Sequence, residues 1–278
     1  TAPGGPRAEG GPRIAALQMH DPPELRGATD ALWSALRAAL SERGVAAPEA
    51  LSRPADHHAP WERPDLLLAQ TCGWPYARAL RGRVRLVATP VYDAEGCAGS
   101  AYRSAIVVRA EAAAESLAAL NGARLAYNSP LSQSGVHALR AAVAPLAAGR
   151  RFFGGAVETG GHRASAEAVA QGAADLASLD CVSWALIRDR APALATRLRV
   201  LGWTPAAPGL PLITAGGTDA PTLAALRSAV LEIFADPATA ALRRPLRIAG
   251  AEVLGEAAYA RIDALAAEAD RLGCPPLA

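Results

Sequence analysis

The stretch GGHRAS, residues 160–165, sets His162 and Ser165 beside two glycines at the mouth of an alanine-rich helix, and the run LDC then supplies Asp180. A second polar group, SQSG, carries Ser132, Ser134 and Gly135 into another helical pattern. A histidine, hydroxyls and a carboxylate are the parts of a nucleophilic triad, of a metal site, or of a rim that holds a polar ligand. They also suit loops with no chemical task.

Each chemistry makes a demand the sequence can answer. Acyl transfer on an α/β sheet needs a GxSxG elbow, and SQSG is not one. His57 and His58 form a pair in a polar, proline-flanked loop and, with His162, lack the carboxylate spacing of a metal site. GxGxxG and the Walker A pattern are both absent, so the usual grounds for dinucleotide or ATP binding are missing. A loop that turns into a helix at Ser132, Ser134 and Gly135 presents free N–H groups and the positive end of the dipole, which suit an oxyanion. Plain N-capping by serine is the competing reading.

These residues need elements to hold them, and hydropathy supplies a βαβ rhythm. Apolar runs predict strands at Ile14–Met19, Leu66–Ala69, Val84–Thr89, Ser104–Arg109, Leu125–Tyr127, Phe152–Val157, Leu176–Leu179 and Leu198–Trp203. Helical patterns cover Thr29–Arg43, Ser134–Ala147 and Ala164–Gln171, with Thr29 and Gly44 as expected caps of the first. After Leu210 two long helices, Pro221–Phe234 and Glu256–Leu272, follow with few strands between them. The expectation is an α/β protein with mainly parallel sheets.

In such sheets ligands bind beyond the carboxyl ends of the strands. The residues there are Gln70, Thr71, Gly73, Trp74 and Tyr76, then Tyr92 and Tyr102, then Asn128 with the serines, then His162 and Ser165, then Asp180 and Trp184. Five of the thirteen Phe, Trp and Tyr residues fall in this set, which suggests an aromatic wall around a small polar ligand. Core packing is the alternative for Trp74 and Trp184.

Composition sets the bounds. An apolar share of 51% over 278 residues supplies a core, yet no run approaches the ~18 apolar residues of a membrane span. The net charge of +2 is spread over many helices, so no basic stripe argues for nucleic acid. Residues 1–13, rich in proline and glycine, read as disordered. No 20–50 residue repeat is present.

Taken together, QTCGWPY, VYDAEGCAGSAYRSAIVV, YNSPLSQSGVHALR, GGHRASAEAVAQGAADLASLDCVSWAL and PGLPLIT make the chain, from Ile14 to Leu272, resemble the PhnD-like phosphate/phosphite/phosphonate-binding proteins of ABC transporters. The resemblance implies the α/β type 2 periplasmic-binding fold: residues 14–101 plus 201–278 in one lobe, 102–200 in the other, and a ligand cleft between them. It implies a solute-binding protein that captures an oxyanion for a transporter permease. Such a protein is expected to be periplasmic and monomeric, with no cofactor and no catalysis.

The serine-rich helix start of the family falls on Ser132, Ser134 and Gly135, its histidine on His162, and its cleft aromatics on Tyr92 and Tyr102, with Asp180 placed to contact the rest of the ligand. SQS stands where phosphonate binders carry Ser-Thr-Ser, and Trp74 and Trp184 imply a bulkier cleft, so a larger or more apolar ligand is the second expectation. An enzyme on this fold, like the thiamine-pyrimidine synthases, would need Cys181 as nucleophile; a ligand sensor is a third reading. Motion is expected about crossovers at Gly99–Ser104 and Leu198–Trp203. Cys72 and Cys97, after consecutive strands of one lobe, are expected to form a disulfide on export, with Cys181 a buried free thiol.

Overall fold

A computed structural model describes residues 13–277; the expected disordered segment 1–13 lies, Arg13 apart, outside the described residues. The first lobe starts with β1 (Ile14–Ala16), α1 (Arg26–Glu42), β2 (Leu66–Gln70) and β3 (Val84–Tyr92). The chain leaves it through β4 (Ala101–Tyr102). The second lobe holds β5 (Ser104–Arg109), β6 (Arg124–Tyr127), α2 (Ala138–Ala147), β7 (Gly155–Glu158), α3 (His162–Ala170), β8 (Leu176–Asp180), α4 (Cys181–Arg190) and β9 (Leu198–Trp203). The chain returns through β10 (Ala207–Pro208) and completes the first lobe with β11 (Leu212–Ala215), α5 (Ala220–Ala235) and β12 (Ile248–Glu252), before α6 (Glu256–Arg271).

Each lobe is built on a five-stranded sheet, ordered β1-β2-β11-β3-β12 and β7-β6-β8-β5-β9. The central strands are buried along their whole length because helices cover both faces: every residue of β2 and β8 is buried, and apart from Ser178 the polar ones, Gln70 and Asp180, stand at the carboxyl ends. α1 turns Leu32, Trp33, Leu36 and Leu40 onto its sheet, the four positions its periodicity marks as one face.

The sheets are mixed rather than mainly parallel. β1–β2, β6–β7 and β6–β8 run parallel, whereas β11 is antiparallel to β2 and β3, and β5 is antiparallel to β8 and β9. Three of the antiparallel strands flank the crossovers, since β5 enters the second lobe, β9 leaves it and β11 re-enters the first; β12, antiparallel to β3, is an edge strand added after α5.

Boundaries shift where packing outweighs pattern. Thr29 lies inside α1, where its hydroxyl donates to Leu25 O (3.2 Å), and is not the cap; Gly44 ends the helix with φ +69° as expected. Phe152 and Phe153 are core residues ahead of β7, not part of it. β11 and β12 fill the region expected to hold few strands.

The two crossovers pair with one another: Tyr102 opposes Ala207 and Ala101 opposes Pro208, antiparallel. The first lies where expected. The second is displaced, because Leu198–Trp203 pairs with β5 inside the second lobe and the chain crosses only at β10. The lobe division differs at the carboxyl end as well. Tyr259, Ile262 and Leu265 of α6 pack in the first lobe, but Ala269, Cys274 and Leu277 pack with α2 and β6 of the second. An amphipathic helix with apolar residues along its full length buries them against whatever each end meets, and α6 meets both lobes.

Candidate functional site

A cleft of about 400 Å³ opens between the lobes. The second lobe supplies Asn128, Ser132 and Ser134 from the end of β6 and the following turn, His162 from the first turn of α3, and Asp180 from the end of β8. The first lobe faces them with Gln18, His20 and Asp21 from the loop after β1.

The serine-rich start is a π-helical turn, Gln133–His137, that precedes α2. Ser132 caps it, its Oγ accepting from Gly135 N–H at 2.9 Å. Gly135 is required by contact: a Cβ there would stand 2.1 Å from Asn128 Oδ1. Ser134 Oγ lies 3.3 Å from Ser132 Oγ and 3.0 Å from His162 Nε2. One N–H of the turn is already used, since Gln133 N donates to Cys72 Sγ at 3.3 Å.

Asp180 is the centre of the arrangement and is 2% exposed. Its Oδ1 accepts from His20 Nε2 (3.1 Å), across the cleft, and from Ser183 N–H (2.8 Å); its Oδ2 faces His162 Nε2 at 3.2 Å. Burial pushes the carboxyl up, but the neighbouring His20 and His162 and the donated hydrogen bonds outweigh it and hold the group well below the usual carboxylate range. His162 is pushed down, by burial first, against the attraction of Asp180. Behind His20 a relay fixes the ring: Gln70 Nε2 donates to Tyr92 Oη (2.9 Å), and Tyr92 Oη donates to His20 Nδ1 (3.2 Å), which leaves Nε2–H for Asp180. Burial keeps the Tyr92 hydroxyl protonated for this role by raising its pKa. His162 Nδ1 and Asn128 Oδ1 are buried without a hydrogen-bond partner among the described residues.

The residues expected at the site therefore divide. Asn128, Ser132, Ser134, His162 and Asp180 converge, with Gly135 beneath them. Tyr92 and Tyr102 stand one layer back; burial first, then the nearby Cys72, Asp180 and Cys181, raise the Tyr102 hydroxyl well above its ordinary pKa against the opposing effect of Ser134.

The aromatic wall does not form. Trp184 packs with Val169, Leu179 and Leu198 in the second-lobe core, Tyr76 is fully buried against Tyr259, and Trp74 stacks on His137 with ring centroids 3.3 Å apart. Ser165 faces inward, its Oγ 2.6 Å from Thr159 Oγ1. The expected Cys72–Cys97 disulfide is not formed in this structure: Cys72 Sγ is engaged by Gln133 N, and Cys97 Sγ lies 3.2 Å from Cys181 Sγ instead. Consecutive strands of one sheet place their following loops apart when another strand, here β11, separates them.

His20 is the residue that the strand-end reading missed, although it follows β1 in the run MHDPP as the others follow their strands. His57 and His58, read as part of a solvated loop, meet edge to face at the cleft wall with ring centroids 4.2 Å apart.

Comparison with known proteins agrees with this architecture. Residues 21–259 match the family described as "ABC transporter, phosphonate, periplasmic substrate-binding protein". PhnD1 from Prochlorococcus marinus, solved with methylphosphonate, is similar with TM-score 0.74 at 16% identity, over 93% of this chain and 98% of that one. A binding protein component of an ABC phosphonate transporter from Pseudomonas aeruginosa gives 0.67 at 17% identity, over 94% and 96%. A Xanthomonas citri protein bound to ATP gives 0.69 at 19% identity, over 94% and 97%. No curated protein matches the chain.

Proposed function

This chain belongs to the periplasmic phosphonate substrate-binding proteins of ABC transporters, a family that binds small ligands and works with permease components, and from that premise we propose that its ligand is a small oxyanion held by Ser132, Ser134, His162 and Asn128. The observation that carries the proposal is the placement of the Ser132 and Ser134 hydroxyls at the start of the turn before α2, with the His162 edge 3.0 Å from Ser134 Oγ and Asn128 beside them in the cleft. The two hydroxyls and the Asn128 amide N–H supply donors to anionic oxygens from one lobe, His162 positions the Ser134 hydroxyl, and the loop after β1 closes over them from the other.

Asp180 is spent on His20, His162 and Ser183, so its charge is balanced inside the protein rather than presented bare to an anion. The absence of Trp74, Tyr76 and Trp184 from the cleft wall removes the reason to expect a bulky apolar ligand. The cleft accommodates a ligand of phosphonate size. The chain works as an exported monomer that delivers its ligand to a permease, without catalysis or nucleic acid.

A thermal-shift panel of phosphate, phosphite, methylphosphonate and sulfate against neutral analogues tests the reading. Stabilisation by a phosphorus oxyanion supports it. Stabilisation by neutral compounds alone would overturn it.

A further inference from the structure

The two cysteines beside the first crossover belong neither to the ligand set nor to the core alone. Cys97 sits in the turn between β3 and β4, which the first lobe holds through Asp93 N–H donating to Arg247 O (2.8 Å) and Ser100 Oγ donating to Glu252 (2.6 Å). Cys181 opens α4 in the second lobe, immediately after Asp180, and its N–H donates to Arg103 O (3.1 Å). Their sulfurs lie 3.2 Å apart, so an S–S bond of ~2.05 Å needs an approach of only about 1 Å.

Gly96 makes that proximity available. Its φ of +98° suits glycine, and a Cβ there would stand 2.6 Å from the Trp203 ring and 3.0 Å from Cys181 Cβ. The pair is also chemically unequal. Cys97 is half-buried and reachable, and the hydrogen bond from Cys181 holds its thiol below the usual value against the opposing effect of burial. Cys181 is 1% exposed and its thiol is pushed up, first by that same hydrogen bond and then by burial.

We propose that Cys97 and Cys181 form a disulfide that joins the two lobes when a small-molecule or protein disulfide donor reaches Cys97. The Cys97 thiolate attacks the donor, forms a mixed disulfide and expels one donor thiolate. The Cys181 sulfur, losing its proton, attacks Cys97 Sγ and expels the second. Two protein thiols are oxidised by two electrons, the donor disulfide is reduced to two thiols, and the two protons end on the donor.

The bond reinforces a contact face that is already closed. Arg247 pairs with Asp189 of α4 at 2.7 Å, Arg188 of α4 with Glu95 at 3.4 Å, and Val182 and Leu186 of α4 lie in the first-lobe core. Because Cys181 follows Asp180, oxidation also fixes the turn that carries the central carboxylate of the cleft. The inference does not depend on which ligand the cleft takes.

The test incubates the whole purified chain with oxidised glutathione, denatures it, alkylates the free thiols and maps the peptides by mass. The expected result is a linked peptide joining Cys97 to Cys181 with Cys72 and Cys274 alkylated, and a melting temperature roughly 10 °C above the reduced protein, a gain that Cys97→Ser abolishes. Four alkylated cysteines, a Cys72–Cys97 link, a stable glutathione adduct on Cys97, or the same gain in Cys97→Ser would each overturn it.

Discussion

At the scale of single residues, Asp180 is answered from both lobes, and its environment sets a pH signature. Its folded pKa lies below the unfolded value of ~3.9, so the stability it contributes is present above that value and is lost as pH falls toward the folded pKa. His162 is also depressed, below an unfolded value of ~6.5, so keeping it neutral stabilises the fold above that pH and less as pH falls below it. Both act in the same direction. The melting temperature should fall from pH 7 to pH 4, and Asp180→Asn should lower it at pH 7 while flattening its decline below about pH 4; thermal melts across pH check this. A variant curve parallel to the wild type would contradict it. Asp180, His162 and the serines were legible because polar residues at strand ends and helix starts have few structural tasks. The tryptophans misled because position after a strand does not say whether a large ring turns to the cleft or to the core, and for Trp74 and Trp184 burial of apolar area decided.

At the scale of elements, α6 fastens the crossover to the first-lobe sheet. Tyr259 Oη donates to Gly209 O (3.1 Å), beside β10, and lies 2.7 Å from the Thr89 hydroxyl of β3. Tyr259→Phe keeps the ring but leaves Gly209 O and Thr89 Oγ1 without this partner, so it should cost about 1–3 kcal/mol of stability in denaturant unfolding. A change within ~0.5 kcal/mol would mean that the hydroxyl contributes nothing here. Strands such as β2, β5 and β8 and helices such as α1 and α5 were legible from hydropathy, because burial on two faces or one stripe leaves a plain pattern. β12 was not: it is an edge strand, half-exposed and written IAGAE, with alanine and glycine where a central strand would carry branched residues. The direction of β5, β9 and β11 was not legible either, since it depends on which lobe the chain has just left.

At the scale of the whole molecule, the lobes are held together in this structure by His20 on Asp180, Arg163 on Glu24 (2.8 Å) and the α4 contacts. Removing the buried cross-cleft bond should shift the ligand-free protein toward an open arrangement. His20→Ala is therefore expected to increase the radius of gyration in small-angle scattering, and saturating ligand to restore compaction. Identical scattering from wild type and variant would show that the His20 contact does not govern closure. The central claim is that an oxyanion is held at the serine-rich helix start, and calorimetric titration with methylphosphonate, phosphite and phosphate tests it most directly. The account predicts one-to-one binding of at least one of them by the wild type and a loss of about tenfold to a hundredfold in Ser134→Ala, the value of one hydrogen bond to a charged acceptor. Undiminished affinity in Ser134→Ala, or no binding of any of the three by the wild type, would contradict it.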